Sequence, residues 1–234
     1  MCVVARVKEG LFFAKPAVLP RGRHGLPRQQ ALTLQRERMM AAITELMAER
    51  GYEPVRVGDV SERAGVSRAT FYECFENKQD CAFAAYDRFI EVLLQRIAPA
   101  LDPAKGAQAY AEAILEAYLG TLEDDPVVGR AFLHEIDAAG APARSRRRDS
   151  LRAFAEGIRH HHEIVAEYDG SMRLLPDIGY LGVVYGVRQV ASDALDQSRE
   201  PDLRCLIPDL TRWILAAFRG NVDVRDVAGR ASSA

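Results

Sequence analysis

Long apolar runs are missing from this chain of 234 residues: no stretch approaches the roughly 20 residues that a membrane-spanning helix needs. Val3–Pro20 has only scattered apolar residues (Leu11, Phe12, Phe13), broken by Lys8, Glu9, Lys15 and Pro16, so no secretory signal is expected and a cytoplasmic location is. Cysteine is scarce. Cys2, Cys74, Cys81 and Cys205 form no C-x-x-C pair and no zinc-finger spacing. Small apolar side chains kept reduced are the favoured reading, with redox sensing by Cys74 and Cys81 as the alternative if a thiol pKa is depressed. There is no G-x-G-x-x-G, P-loop, G-x-S-x-G or H-E-x-x-H, so catalysis has no signature and no cofactor is called for. Net charge is only −2, which speaks against broad, unspecific polyanion binding.

Strand-like alternation is also nearly absent, whereas helical periodicity is everywhere. The reading is an all-α protein of about nine helices. Residues 1–30 hold six cations against Glu9 alone, a balance of +5 that leaves −7 for the rest. With Pro16, Pro20, Gly22, Gly25 and Pro27 among them, these residues read as a flexible basic arm. A helix is expected from about Ala31 to Arg50, with Met39, Met40, Ile43, Leu46 and Met47 on one face and Gly51 ending it. Others are expected near 57–64, from 68, and at 77–97, 104–123, 126–138, 142–168, 176–197 and 202–219. The organisation is an arm over 1–30, a small helical domain over 31–79, a helical body over 80–220 and a frayed tail over 221–234.

The richest stretch is Val57–Asp80, V-G-D-V-S-E-R-A-G-V-S-R-A-T-F-Y-E-C-F-E-N-K-Q-D. Val57, Val60 and Ala64 recur at helical spacing and stop at Gly65, which suits the positive φ that ends a helix. Ser67 then stands where its oxygen can cap the N–H groups of a second helix. Helix, glycine turn and capped helix make a helix-turn-helix, and its second helix fits the major groove of DNA. Arg68, Ala69 and Thr70 fall at its base-reading start: Arg donates two bonds to a guanine edge, and the methyl groups suit thymine. Tyr72 and Lys78 are candidate phosphate contacts, while Phe71 and Phe75 share one face and anchor the helix. Arg21 and Arg23 in the arm are candidates for a narrow minor groove, against the alternative of a solvated tail.

These residues resemble the DNA-binding domain of the TetR family of bacterial transcriptional regulators. The likeness rests on Ala64-Gly65-Val66-Ser67, Thr70-Phe71-Tyr72, Phe75, Asn77-Lys78 and Ala84-Ala85-Tyr86. It implies a homodimer whose three-helix heads bind double-stranded operator DNA, on a variable helical body that binds a small-molecule effector. By position, Arg68, Ala69 and Thr70 would lie at the bases and Tyr72 and Lys78 on phosphates, with Ser67 also among the DNA-binding residues. Two positions depart from the pattern. Arg56 stands where Thr or Ser often caps the second helix, so Asp59 is expected to compensate and Arg56 becomes a further phosphate candidate; Cys74 replaces a common His or aromatic.

The body is less legible. Tyr110, Tyr118, Phe132, His134, Phe154, Tyr180, Tyr185 and Arg188 are possible cavity groups, and Tyr118, Tyr180, Tyr185 and Arg188 are chosen as ligand candidates. His160-His161-His162 point about 100° apart on a helix and cannot share one metal ion, so the run reads as a solvated face, as does Arg144–Arg148. The last two helices carry long apolar faces, and Leu181, Val184, Leu210, Trp213, Ile214 and Ala217 are expected at a dimer interface. The leading reading is a dimeric repressor released from a near-palindromic operator by an effector. The alternatives are a DNA-binding or architectural protein without an effector, and a helical enzyme with an accessory helix-turn-helix.

Overall fold

The computed structural model describes residues 5–14, 26–100, 106–168 and 172–219. Among them are nine α-helices and no strand. They are α1 (Arg28–Arg50), α2 (Val57–Ala64), α3 (Arg68–Cys74), α4 (Lys78–Ile97), α5 (Ala107–Asp124), α6 (Pro126–Arg130), α7 (Ala141–Tyr168), α8 (Asp177–Gln197) and α9 (Ile207–Arg219).

Local chemistry sets most of the ends. Gly51 closes α1 at φ +80°, its N–H on Met47 O at 2.9 Å. Asn77 caps α4 through Asp80 N at 2.9 Å. Asp125 caps α6, where Pro126 takes the first helical position and needs no N–H. The α6 helix continues as a π turn over Ala131–Glu135 and a 3₁₀ turn over Ile136–Ala139, so the single helix expected at 126–138 is present but wound unevenly.

Helices α1, α2 and α3 form the head, and α5–α9 the body. Helix α4 belongs to both, since its first turn packs in the head while Tyr86, Phe89 and Leu93 sit in the body; the sequence-based division at 79/80 falls inside that turn. One continuous apolar core runs from Val60 and Phe71 through Phe89 and Phe132 to Phe218.

The flexible-arm expectation fails for residues 5–14. Phe12 and Phe13 are 2% and 1% exposed, and the Phe12 ring lies 5.7 Å from that of Phe89. The polar groups of the segment are tied at both ends. Arg6 Nη1 and Val7 N reach the buried Glu45 carboxylate of α1 at 3.1 and 3.3 Å, and Lys8 N donates to Asp125 Oδ2 at 2.8 Å. An apolar pair with paired backbone is stable inside, whatever the charge of its neighbours. The segment is therefore a strap from head to body. Arg21 and Arg23 lie outside the described residues, as does the tail over 220–234.

Candidate nucleic-acid interface and body cavity

The turn between α2 and α3 has the expected geometry. Gly65 adopts φ +65° and ψ +38°, and the N–H groups of Gly65 and Val66 close on Glu62 O and Ser61 O at 3.0 and 2.9 Å. Ser67 Oγ accepts from Thr70 N at 3.0 Å and lies 2.9 Å from Thr70 Oγ1. Phe71 is fully buried, with the Phe75 ring 5.7 Å away, so the opposite side of α3 must face out. That side presents Arg68, Ala69 and Tyr72, the last 60% exposed.

A small residue in α2 shapes this face in a way the sequence reading missed. The Arg68 guanidinium lies over Gly58, where a Cβ would stand 2.6 Å from its Nη2. Arg56 precedes α2, exposed, and Asp59 Oδ2 accepts its backbone N–H at 2.8 Å, the compensation expected. An Arg side chain has no acceptor, so only half of a capping box exists. Arg56 and Arg68 form no ion pair among the described residues.

Most other cations of the head are engaged within it. Arg36 donates to Cys74 O at 2.8 Å and covers the Phe75 ring, Arg63 pairs with Glu49 and Glu45, and Arg50 pairs with Asp59 at 2.6 Å. Lys78 requires a correction. Its Nζ donates to Tyr52 O and Glu53 O at 3.0 and 3.2 Å and sits 3.9 Å from the centre of the Tyr52 ring. The ammonium thus clasps the α1–α2 connection instead of standing free for a phosphate. The Thr70 hydroxyl is likewise held by Ser67, which leaves its methyl as the group to offer.

Cys74 and Cys81 do not fit a redox sensor. Burial pushes both thiols up, Cys81 well above its ordinary value, so the reactive thiolate is disfavoured. Cys2 lies outside the described residues.

The body holds a partly open cavity of about 130 Å³, walled by α4, α5, α7, α8 and α9. Its lining is almost wholly apolar: Phe89, Leu93, Ile114, Leu115, Phe132 and Phe154 are typical. Of the four ligand candidates, Tyr118 and Arg188 line it; Arg188 Nη2 also donates to Leu133 O at 2.6 Å. Tyr180 is buried behind the wall, and Tyr185 is exposed beside Arg147, so neither lines it. His134 bonds Ser192 O and is likewise absent from the lining.

The histidine run is not a wholly solvated face. His162 is 3% exposed, lines the cavity and stacks on Phe218 at 4.3 Å. A signal existed, since Leu151, Ala155, Ile158, His162 and Val165 continue one apolar stripe of α7 at helical spacing. Among the described residues no group of three metal-ligating side chains forms. The arginine run is not a loose solvated face either. Arg146 meets both oxygens of Asp87 on α4 at 2.7 Å, and Arg147 meets Asp137 at 2.8 Å.

The six interface candidates divide. Val184 and Ile214 line the cavity and Leu210 is buried within the chain, because inward packing claims the apolar side of each helix. Leu181 and Ala217 are half-buried, and Trp213 is 46% exposed. Exposed apolar side chains of α8 are Ile178, Tyr185 and Val190, and the half-exposed Trp213 ring of α9 crosses α8 at Gly186.

Residues 39–85 match the family described as bacterial regulatory proteins, tetR family. A curated relative, the HTH-type transcriptional activator FasR of Mycolicibacterium smegmatis, is 27% identical over 128 residues, 55% of this chain and 56% of its own length, so the match spans little more than half of that relative. The fold is similar to that of the fatty acid degradation regulator FadR from Bacillus halodurans (TM-score 0.71, 15% identity, 81% of this chain and 96% of that one). It is also similar to FadR from Bacillus subtilis, solved in complex with stearoyl-CoA (TM-score 0.69, 15% identity, 77% and 98%). No helix among the described residues is long and apolar enough to cross a membrane. The capped glycine turn and the match over residues 39–85 mark a TetR-type DNA-binding head, and the fold of head and body is similar to that of the two FadR structures.

Proposed function

We propose that the chain is a homodimeric, sequence-specific DNA-binding regulator whose operator affinity is set by an apolar, acyl-type effector held in the body cavity. The observation that carries this reading is the double membership of α4. Its start is capped beside the recognition helix, and Tyr86, Phe89, Ile90, Leu93 and Ile97 form one wall of the cavity. A ligand that separates this wall from α5 and α7 must move the head, because α4 is one continuous helix. Cross-ties transmit the same shift: Gln79 Nε2 to Ala139 O at 2.6 Å, Arg146 to Asp87, and the strap from Glu45 to Asp125.

Base reading falls to Arg68, Ala69 and the Thr70 methyl, with Tyr72 and Arg56 placed for phosphates. Two heads are needed to read an inverted repeat, and the apolar side chains that α8 and α9 leave exposed, among them Ile178 and Trp213, support pairing of two copies there. Effector binding then favours a body conformation whose heads are mis-spaced for the operator. Release produces repression or activation according to where the operator lies relative to the promoter; the related FasR is described as an activator. A DNA-binding protein without an effector is the second reading, and the lined cavity favours the first.

Selection of bound duplexes from a random pool, with the full chain, tests the proposal. An inverted repeat should emerge, bound by two copies and released on addition of palmitoyl-CoA. Recovery of a non-repeated site bound by one copy would overturn the dimeric reading, and indifference to every acyl compound would overturn the effector.

A further inference from the structure

The cavity wall carries two residues whose buried polar atoms, His162 Nε2 and Tyr110 Oη, have no partner among the described residues. They stand in a lining that otherwise offers almost no polar surface. Buried polar groups are nearly always paired, so unpaired ones on residues that line a cavity point to a ligand.

The protonation state of His162 follows from counting donors. Leu175 N–H donates to Tyr180 Oη at 3.2 Å, and the same oxygen lies 2.9 Å from His162 Nδ1. Tyr180 has one hydroxyl proton and no other acceptor for it among the described residues, so it donates to Nδ1. Nδ1 is then the acceptor, and in the neutral ring the proton sits on Nε2. Burial holds the ring neutral by pushing its pKa below the ordinary histidine value, the Glu163 charge opposing this less strongly. Stacking on Phe218 and the Tyr180 bond fix the ring plane, which turns the Nε2 edge away from Tyr180.

We infer that His162 Nε2–H recognises a carbonyl or carboxylate oxygen on an otherwise apolar chain. The inference rests on the effector reading of the cavity and names the chemistry that selects the ligand there: an oxygen acceptor at one point of a long hydrocarbon. Both a free fatty acid and an acyl thioester present that oxygen, and neither an alkane nor a polycyclic hydrocarbon does. Tyr180 is a positioning residue, since it touches the ligand only through the ring it orients.

Displacement of N-phenyl-1-naphthylamine from the full-length protein tests this, with palmitic acid, palmitoyl-CoA, methyl palmitate and hexadecane as competitors. One hydrogen bond to a buried donor should give the oxygen-bearing compounds an advantage of about tenfold over hexadecane. His162→Phe keeps the stacking surface and should erase most of that advantage; His162→Gln restores a donor near the Nε2 position and should recover part of it. Palmitic acid and palmitoyl-CoA distinguish carboxylate from thioester as the preferred source. Ring ¹⁵N spectra of the wild type supply a readout independent of any variant's folding: a proton on Nε2 that moves downfield with palmitic acid is expected. Equal displacement by hexadecane, or a proton on Nδ1, would overturn the inference and leave the apolar effector standing. Displacement by none of the four would remove the effector reading itself.

Discussion

The head and the body use polar groups in opposite ways. In the head, charged and polar side chains mostly find partners within a few turns: Ser67 with Thr70, Arg63 with Glu45 and Glu49, Lys78 with two carbonyls. What is left for a partner is short, namely Arg68, Ala69, Tyr72 and Arg56 on a rigid frame. In the body, the wall of an apolar cavity holds His162 Nε2 and Tyr110 Oη with no partner among the described residues. A surface that reads DNA keeps its geometry by satisfying its own groups first. A cavity of the kind proposed to take a ligand keeps a few groups unsatisfied.

The strap offers the strongest test of how far head and body are one unit. Deleting residues 1–14 exposes the surfaces buried by Phe12 and Phe13, and should cost about 4 kcal/mol of unfolding free energy. Urea denaturation followed by circular dichroism reads it. A loss under about 1 kcal/mol would return the segment to the status of a loose arm.

Replacement of Arg68 by Ala probes the exposed set in the head. Operator affinity should fall by about 2 kcal/mol with discrimination lost at one base position, while binding to unrelated DNA stays nearly level. Uniform weakening on all sequences would reassign Arg68 to the backbone.

Lys78→Met separates internal from external use of a cation. We expect a stability loss of about 1 kcal/mol from the lost clasp on Tyr52 and Glu53, with the salt dependence of DNA affinity unchanged. A salt slope smaller by about one unit would show a phosphate contact made only in the complex.

The smallest effect concerns pH. Burial raises the Asp125 carboxyl to about 6, against the backbone N–H bonds from Lys8, Val128 and Val127, which lower it. A raised carboxyl pKa contributes stability that is complete below its unfolded value near 3.8 and vanishes as pH rises through about 6. Thermal melts of wild type and Asp125→Asn at pH 5 and 7.5 should therefore differ by a swing of about 1 kcal/mol, the wild type relatively weaker at the higher pH. A swing of opposite sign would mean that the N–H bonds outweigh burial. Comparison with the Asn variant removes the contribution of His162, which runs the other way.

Much of the head was legible because its signals are local. Gly65 needs its positive φ, Ser67 caps three residues ahead, and Phe71 and Phe75 share a face; each can be read within a dozen positions. Helix ends at Gly51, Asn77 and Pro126 belong to the same class. The site was legible only in outline. Lys78 has the right place in the motif, yet its ammonium turns to carbonyls 25 and 26 positions earlier, which no motif encodes. His162 carried an apolar-stripe signal that the adjacent His160 and His161 obscured.

Alone, then, the chain's order of residues determined an all-helical fold, the capped glycine turn and the groups that stand at the start of α3. These follow from backbone sterics, capping and periodicity, whose range is one or two helical turns. Tertiary structure decided the rest: the strap, the internal engagement of the head's cations, the cavity and the orphaned His162 edge. Burial and pairing there join residues as far apart as Lys8 and Asp125, separated by 117 positions, and only the folded packing brings such groups within a hydrogen bond of each other.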